Sequence, residues 1–598
     1  MLLLESLPNE ILLEIFYWIC PSDLFKSFFN QNSRLNLLIS ASRFRLSLSG
    51  DQKKTFDYCC EIIMPKILKN HVVSFNFDDR HDRVSKHSIS QLLADIEEFT
   101  ELKSLTIYAL FSSNIKDLIP KLGKFECLTN LSLTFMHQRV QFISRLGNDV
   151  ETDTKKICKM IIWKELRALK HCKLAFPHTM CFQTTMTGPI NLEYLKISHC
   201  NLTEMIALLK HIPKLKHFSV CICTYGEQYP EYELPSLQYL SHFALDSRWI
   251  SYEQTEYLLR HMPQLKKFVF SGHSLEFVNG NMWERLIVQF LPLLQSFEFS
   301  ISVRYSGENL DLNGLLLPFK TNFWSDQQWF FTFDYYPLES SENLYIYSVP
   351  CKMSSMYLKK PFNLQTLTTA TSESQAYNNI ISLNVSTYQP SIQSCSTTSA
   401  RHYPNVEYLR INGNNEDGDY RIFYDKLMRL INISAVKNLR FKDVRSHSDV
   451  RSLLQGMTSL HSLSLNYDLF LRMTNEFNDQ TLCSYWAKSI TSLTLWHVDF
   501  IDIKLLKKFY KIFQNIRHFW LSPTSKNSIY IILSLLLRKR HKLKFLTISI
   551  DEIDLFRSSD FKNWFSNYIE LNALQGDVEL DDEEDLKLSL SFAELTQL

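Results

Sequence analysis

The chain has 598 residues, 45% of them hydrophobic, and its 64 lysines and arginines nearly balance its 63 aspartates and glutamates. This balance produces no overall positive field, so neither nucleic acid nor an anionic membrane is expected as a partner. Glycine is scarce, at 13 residues, which disfavours folds that depend on glycine-rich phosphate loops. A chain of this length is expected to fold as several domains or as one array of repeats.

The N-terminal segment MLLLESLPNEILLEIFYWIC is rich in apolar residues but is not typical of a targeting sequence. Glutamates interrupt it and no basic region precedes it, whereas a secretory signal starts with basic residues and a membrane span needs about 18 uninterrupted apolar residues. The 13 cysteines are therefore interpreted as free thiols in a reducing compartment. The predicted location is the cytoplasm, the nucleus or both.

This N-terminal segment is predicted to form three short helices. Pro8 suits a first helical turn, and Glu10 favours the same helix end through the helix dipole. Ile11, Leu12 and Ile15 then form an apolar stripe at helical spacing. We expect this stripe to be exposed in the isolated chain and covered by a partner protein.

The break between the first two helices is predicted at a proline. Pro21 is expected to end the first helix, and Ser22 or Asp23 to cap the second. The second and third helices have apolar positions at Leu24, Phe25, Phe28, Phe29, Leu35, Leu37, Leu38 and Ile39. Three helices this short cannot bury so much apolar surface among themselves, which again indicates a partner.

The order and spacing of these residues resemble a known motif. The run L-P-x-E-I-L-x-x-I-F, followed by Asp-Leu, is similar to the F-box. The resemblance implies a three-helix module that binds the Skp adaptor, and through it a cullin, in cullin–RING ubiquitin ligases. The positions that match the family's motif are Leu7, Pro8, Glu10, Ile11, Leu12, Ile15, Asp23 and Leu24. The family's later Val-Cys and Trp positions are not matched, and a helical cap on a repeat array is the alternative.

The rest of the chain repeats the pattern L-x-x-L-x-L, with Phe, Ile or Val often replacing Leu. In the regular parts the interval is roughly 25 residues, the period of leucine-rich repeats. Copies begin at Leu102, Leu128, Leu192, Leu215, Leu265, Leu294, Val406, Leu460, Ile490, Ile516 and Leu543. Segments between them, such as NLTEMIALLKHI, SYEQTEYLLRHM and DIKLLKKFYKIFQNI, have helical periodicity. Each repeat is thus predicted as a strand followed by a helix.

These repeats resemble the longer α/β type of leucine-rich repeat that follows many F-boxes. The predicted fold class is α/β: a small N-terminal three-helix F-box followed by a curved leucine-rich-repeat solenoid. A generic α/β protein with leucine-rich strands is the alternative. One strand–helix unit cannot bury its own apolar edge, whereas a stack of units can.

The predicted domain organisation has five parts. An F-box-like module at 1–48 is followed by N-terminal repeats at 49–302. An irregular aromatic and Ser/Thr-rich insertion occupies 303–404, where NFWSDQQWFFTFDYY and NLYIYSV alternate like extra strands. C-terminal repeats at 405–575 and an acidic segment at 576–598 complete the chain.

No catalytic, cofactor or metal motif is identified. HCKLAFPHTMC, at 171–181, clusters two histidines and two cysteines without the spacing of a zinc site. Cys221 and Cys223 are predicted to lie in a strand with their side chains on opposite faces, which would prevent chelation. The sequence therefore predicts no catalytic residue, no cofactor, no metal ligand and no enzymatic activity of its own.

Client binding is predicted on the strand positions that lie between the apolar ones, because side chains alternate along a strand. In the N-terminal repeats these positions hold mostly small polar residues. In the C-terminal repeats they hold residue types that dominate interface hot spots, namely Tyr408, Arg410, Trp496, His518, Trp520 and Phe545. Shielding of Trp496 and Trp520 by a neighbouring loop, such as the aromatic insertion, is the alternative.

An N-terminal docking module followed by a repeat array with a long binding surface is an architecture typical of an adaptor protein. The predicted function is the substrate-recognition subunit of a cullin–RING ubiquitin ligase, with an unidentified client protein on the repeats. The alternative is a leucine-rich-repeat binding or scaffold protein without ligase function, whose N-terminal helices form a cap. A hydrolase or transferase has no residue support in the sequence.

Overall fold

The structure is a computed structural model, and it describes a discontinuous set of ranges. These are residues 6–49, 58–78, 96–110, 118, 120–135, 166–176, 191–223, 233–247, 249–305, 310–336, 343–358, 365–370, 376–386, 401–413, 421–442, 444, 450–498, 503–523, 545–550, 563–564, 579–580 and 586–591. The chain divides into two compact units, Met1–Trp329 and Phe330–Leu598. Each unit is described by itself.

The first unit begins with three helices, α1 (Asn9–Trp18), α2 (Pro21–Phe28) and α3 (Ser33–Ala41). The prediction for Pro21 was wrong: α1 already ends at Trp18, and Pro21 is the first residue of α2. Proline suits this position because its missing N–H would have no partner within the helix anyway. No side-chain cap is present at α2, so neither Ser22 nor Asp23 caps it as predicted.

The apolar faces of these helices are partly covered by the chain itself. Leu12, Leu24 and Phe25 are buried, and the ring of Phe25 lies 6.3 Å from that of Phe44 at the start of the first strand. The chain's own first strand therefore covers part of α2.

The first unit contains a sheet of ten parallel strands among the described residues, each paired with its neighbours in chain order. The strands are β1 (Phe44–Ser49), β2 (Val72–Asp78), β3 (Ser104–Leu110), β4 (Asn130–Phe135), β5 (His171–Ala175), β6 (Tyr194–Cys200), β7 (His217–Ile222), β8 (His242–Ser247), β9 (Lys267–Gly272) and β10 (Ser296–Val303). Large parallel sheets of this kind bury apolar residues beneath crossover segments.

The inward positions of this sheet form continuous rows. In one row the rings of Phe218, Phe243, Phe268 and Phe297 stack across β7 to β10, with centroids 5.8, 5.7 and 5.9 Å apart. The rows arise because L-x-x-L-x-L places an apolar residue at every second strand position, and the parallel register aligns them.

Among the described residues of the first unit, helices that follow strands include α4 (Leu202–Leu209), α5 (Tyr252–Arg260) and α6 (Gly280–Phe290). Asn201 caps α4 by accepting a hydrogen bond from the Glu204 N–H at 2.6 Å. Ser251 and Gln254 form a reciprocal capping box on α5. These caps satisfy N–H groups that the first helical turn leaves unpaired.

The first unit ends in a compact aromatic region. Two short helices, α7 (Leu312–Leu316) and α8 (Asn322–Asp326), follow β10. Trp283 and Trp324 are buried, and their indole N–H groups donate to the carbonyl oxygens of Phe277 and Pro318. The NFWSD segment, for which alternation predicted a strand, is the helix α8, because Trp324 and its neighbours pack onto the core and not along a sheet edge.

The second unit contains an antiparallel set of three strands and a long, mostly parallel sheet. The antiparallel set is formed by β11 (Phe330–Tyr335), β12 (Leu344–Val349) and β14 (Gln365–Thr368). The parallel sheet runs through β13 (Ser355–Leu358), β15 (Ser382–Ser386), β16 (Tyr408–Asn412), β17 (Asn438–Lys442), β18 (Ser462–Asn466), β19 (Ser492–Val498), β20 (His518–Pro523) and β21 (Phe545–Ile550). Two antiparallel strands follow, β23 (Leu586–Ser591) beside β21 and β22 (Glu579–Leu580) beside β23.

Helices again follow strands in the second unit. They are α9 (Arg421–Leu430), α10 (Val450–Gly456), α11 (Tyr467–Met473), α12 (Gln480–Ser489) and α13 (Ile503–Ile512). The parallel sheet already begins with β13 and β15 inside the segment 303–404 that was predicted as an insertion. The mixed α/β class predicted from the repeats is confirmed, and the strand pairing is largely parallel.

No helix within the described ranges is both long enough and apolar enough to cross a lipid bilayer.

Candidate binding surfaces

The first helix presents apolar side chains at its surface. Ile11 is 48% exposed and Trp18 is 69% exposed, while Ile15 between them is half-buried. Their spacing of four and three residues places them on one face of α1. This stripe differs from the predicted one, because Trp18 belongs to it and Leu12 does not.

Two motif residues are core residues of the helical module. Leu12 has 0% and Leu24 has 1% of its surface exposed, so the prediction that Leu12 forms part of an exposed stripe was wrong. Leu12 and Phe16 lie on the inner side of α1, since residues four apart share a helix face. Of the remaining motif residues, Leu7 is half-buried, while Pro8, Glu10 and Asp23 are exposed.

The start of α1 is held against α3 by a single arginine. The Arg34 guanidinium donates to the carbonyl oxygen of Leu7 at 2.7 Å and to Oδ1 of Asn9 at 2.8 Å. These bonds satisfy acceptors at the helix entry and fix its direction. The motif residues before the helix are therefore positioned by a residue outside the motif.

Trp18 is anchored although it is exposed. The Arg45 guanidinium lies 5.1 Å from the centre of the Trp18 ring and 4.3 Å from that of Tyr17, distances typical of cation–π contacts. The Trp18 indole N–H donates to Glu14 at 3.2 Å. Sequence reasoning missed Trp18, although its position seven residues after Ile11 is the signal that would have found it.

The predicted client residues lie on the sheet face opposite the core of the second unit. Register places Tyr408 and His518 in one row across the strands, and Arg410 and Trp520 in the adjacent row. Tyr408 is 50% exposed, whereas the other four described side chains, including Trp496, are half-buried. The side chain of Phe545, in β21, lies outside the described residues.

These residues form two groups and not one compact site. Tyr408 and Arg410 are on β16, and Trp520 is on β20, four strand spacings or about 19 Å away. Arg440, on the intervening β17, extends towards the second group, with its guanidinium 4.5 Å from the centre of the Trp496 ring. Arg440 was not predicted, and it links the two groups.

The two tryptophans are more covered than predicted. Arg440 shields one face of Trp496, and the indole N–H of Trp520 is buried without a hydrogen-bond acceptor among the described residues. An unpaired buried N–H costs about 1–3 kcal/mol. Both tryptophans are thus half-buried, and Arg440 of β17, two strands away, supplies part of the cover over Trp496.

This sheet face is basic. The outward positions of β15 to β20 hold three cationic side chains and no carboxylate among the described residues. The cations are Arg410, Arg440 and Lys442. The nearest described carboxylate in sequence, Glu407, forms an ion pair with Lys437 at 2.7 Å. The face is therefore electrostatically complementary to an acidic ligand.

The outward face of the first unit carries an aromatic ladder. His171, Tyr194, His217 and His242 lie in register on β5 to β8, with successive ring centres 6.2, 6.0 and 4.2 Å apart. Burial, and then the positive charges beside them, lowers the pKa of His217 and of His242. Sequence reasoning noted mostly small polar residues on this face and missed the ladder.

No protein-family model matches this sequence, and no curated protein matches it. The resemblance to F-box and leucine-rich-repeat proteins therefore stays a prediction that is based on the residues themselves.

Two histidine- or cysteine-containing segments were considered as metal sites in the sequence, HCKLAFPHTMC and the pair Cys221 and Cys223, and the structure contradicts the prediction for the second. In HCKLAFPHTMC, His171 points outward, and Cys172 is buried in the sheet core, where burial raises its pKa to about 12. His178 and Cys181 lie outside the described residues. The prediction for the other pair was wrong: the sulfur atoms of Cys221 and Cys223 are only 3.3 Å apart, because residues two apart in a strand share a face.

Proposed function

We propose that this chain is the substrate-recognition subunit of a cullin–RING ubiquitin ligase. Its N-terminal helices would bind a Skp-type adaptor, and its sheet faces would bind the client protein. The observation that carries the proposal is the apolar stripe of Ile11, Ile15 and Trp18, which lies on the surface of α1 within the F-box-like run. The ubiquitin-transfer chemistry belongs to other subunits, and this chain contributes proximity.

The stripe on α1 has the energetics of a docking surface. Full burial of an aliphatic side chain contributes about 1.5–3 kcal/mol, and Ile11 still has 48% of its surface to bury. Trp18 is larger, and its anchoring by Arg45 reduces the conformational entropy that binding would cost. Exposed aromatic residues held in place are typical of interface hot spots.

The proposal includes the leucine-rich-repeat assignment. Parallel strands joined in chain order, with L-x-x-L-x-L residues aligned in inward rows, support a curved solenoid of strand–helix repeats. An acidic segment is the part of the client that this face would bind. The support for it is the cationic group of Arg410, Arg440 and Lys442 beside Trp496. The described outward positions around these residues hold no carboxylate.

The test is adaptor binding by a double variant, Ile11→Asp with Ile15→Asp. Two carboxylates on the stripe should abolish capture of a purified Skp-type adaptor, because each would have to be desolvated at the interface. Hydrogen exchange of β3 to β10 should remain unchanged, since the substituted residues belong to α1. Val288→Asp is the matched control, because Val288 is a 63% exposed apolar residue on α6, outside the three-helix module.

The result that would contradict the proposal is adaptor capture by the double variant at the wild-type level. Absence of capture by the wild-type chain would also contradict it. Loss of capture by Val288→Asp as well would show that an added charge outside the module is equally disruptive, and the loss in the double variant would not assign docking to the stripe.

The second candidate is a binding or scaffold protein in which the helices seal the first strand. Phe25 packs on Phe44, and Leu12 and Leu24 are buried in the same module, which is what a cap requires. In this case no adaptor co-purifies with the chain. Removal of residues 1–41 then exposes the core of β1 and β2 and has no effect on ubiquitin transfer. Co-purification of the adaptor from a native extract separates the two candidates.

A further inference from the structure

Three side chains with metal-binding atoms meet at the ends of β6 and β7. The Nδ1 atom of His199 lies 2.9 Å from Sγ of Cys223, and the sulfur atoms of Cys221 and Cys223 are 3.3 Å apart. All three donor atoms lie within 4.8 Å of one another. The three residues are half-buried, so the cluster is partly shielded and still open to solvent.

An irregularity in β6 brings the histidine into the cluster. The register between β6 and β7 shifts between Ile197 and Cys200, so that Ser198 and His199 together oppose Cys221. The Ser198 hydroxyl is bonded to the backbone N–H and carbonyl of Phe176, at 2.8 and 2.7 Å, on the side of β5. Such a bulge redirects the extra side chain, and here it directs His199 towards β7.

The two cysteines are aligned by the continuation of β7. Cys221 belongs to the strand, and Cys223 follows it with its N–H directed at the Cys200 carbonyl at 3.4 Å. The extended backbone therefore persists past the end of the strand, and residues 221 and 223 share a face. The geometry is set by backbone pairing and does not depend on a metal ion.

We propose that His199, Cys221 and Cys223 bind one zinc ion. Two thiolates and an imidazole are donors that zinc prefers, at about 2.3 Å for sulfur and about 2.0 Å for nitrogen. Tetrahedral geometry then requires about 3.8 Å between the sulfurs and about 3.5 Å between sulfur and nitrogen. The observed 3.3 and 2.9 Å differ from these separations by about half an ångström, which side-chain rotation supplies.

Charge and stoichiometry fit the same ion. Binding releases the two thiol protons, and the two thiolates then neutralise the charge of Zn²⁺. Three protein ligands leave the fourth tetrahedral position to water in the isolated chain, as in open zinc sites. The site is independent of the adaptor proposal, since it lies in the sheet of the first unit and its test measures metal binding alone.

The experiment uses the full chain, reduced, stripped of metal with a chelator and exchanged into metal-free buffer. Titration with Co²⁺ as a spectroscopic probe should produce sulfur-to-cobalt charge-transfer absorption and the visible bands of a tetrahedral ion. Zn²⁺ should then displace the cobalt and abolish both signals. The double variant Cys221→Ser with Cys223→Ser should lose the signals completely, and His199→Ala should weaken cobalt binding at least tenfold.

The matched control is Cys127→Ser, which removes a half-buried thiol elsewhere in the same unit and should leave the cobalt spectrum unchanged. Equal spectra from the wild type and the double variant would assign the metal to other cysteines and overturn the proposal. Absence of any spectrum from the reduced wild type would overturn it as well. So would a mass spectrum of the untreated chain that shows a Cys221–Cys223 disulfide persisting when zinc is supplied.

Discussion

Arg401 and Asp334 form a buried ion pair in the second unit, with 5% and 3% of their surfaces exposed. Hydrogen bonds support the pair on one side: the Tyr347 hydroxyl donates to Asp334 at 2.8 Å, and Arg401 also donates to Thr366 at 2.6 Å. The Nε and Nη1 atoms of Arg401 have no hydrogen-bond partner among the described residues. Both charges lost their hydration on folding, so each depends on the other. The pair connects β11 to a segment 67 residues later in the chain.

Replacing one partner of this pair should destabilise the second unit strongly. Arg401→Met leaves a buried carboxylate without its counter-ion, and we expect a loss of about 3–5 kcal/mol in the free energy of local unfolding. Hydrogen exchange of peptides from β11 and β12 measures this loss.

The double variant Arg401→Met with Asp334→Leu is the control for this prediction. It removes both charges, and it should lose less stability than Arg401→Met alone, because no uncompensated charge remains. Equal protection of β11 in the wild type and in Arg401→Met would contradict the assignment of a buried, strongly coupled pair.

At the scale of the elements, the aromatic ladder joins four neighbouring strands of the first unit by rings that contact one another at a tilt. His217 and His242 are the closest pair, at 4.2 Å between ring centres. Burial is the main reason that their pKa values are lowered. A histidine with a lowered folded-state pKa binds its proton more readily in the unfolded chain, where the pKa is about 6.5.

The sign of the pH dependence follows from this difference. The neutral forms of His217 and His242 contribute their full stability above about pH 6.5, and that contribution is lost as the pH falls from there through their lowered folded-state pKa values. Hydrogen-exchange protection of β7 and β8 should therefore decrease between about pH 7.5 and about pH 5.5.

A pair of histidine variants separates the ladder from general acid effects. His217→Asn with His242→Asn should flatten the pH dependence of β7 and β8, because the titrating groups are gone. His211 lies after α4 and outside the ladder. His211→Asn should therefore leave the pH dependence of β7 and β8 as in the wild type. A decrease of the same size in the double variant would assign the effect to other groups.

At the scale of the whole molecule, the proposed function assigns two different activities to the two units. The adaptor-binding stripe is on α1, in Met1–Trp329, and the basic, aromatic sheet face is in Phe330–Leu598. Each unit has its own buried core. Substitutions on the sheet face of the second unit should therefore leave adaptor binding unchanged.

Client recovery tests this separation. Trp496→Ala with Trp520→Ala should reduce client capture from an extract at least about thirtyfold, since a hot-spot residue contributes about 2 kcal/mol or more. Adaptor recovery in the same pull-down should not change. Trp249→Ala is the matched control, because Trp249 is a 50% exposed tryptophan in the first unit.

Unchanged client recovery by the double tryptophan variant would contradict the assignment of this sheet face. Hydrogen exchange of β18 to β20 must match the wild type for the comparison to be valid, since both tryptophans are half-buried.

Much of the local structure was predictable from the sequence. Apolar residues at every second strand position predicted the inward rows, because alternation along a strand is a property of the backbone itself. Asn201 and Ser251, each before a helical pattern, occupy cap positions for the same local reason. The mixed α/β class follows from strand and helix periodicities that alternate along the chain.

The tertiary structure decided which of these residues meet. Arg440 contacts Trp496 from two strands away. The bulge in β6 directs His199 to the cysteines. Asp334 pairs with Arg401, which lies 67 residues later in the chain. Spacing along the sequence encodes which way a side chain points, since that depends only on neighbouring dihedral angles. Which side chain it faces depends on strand order and register, and these are set by the packing of the whole core.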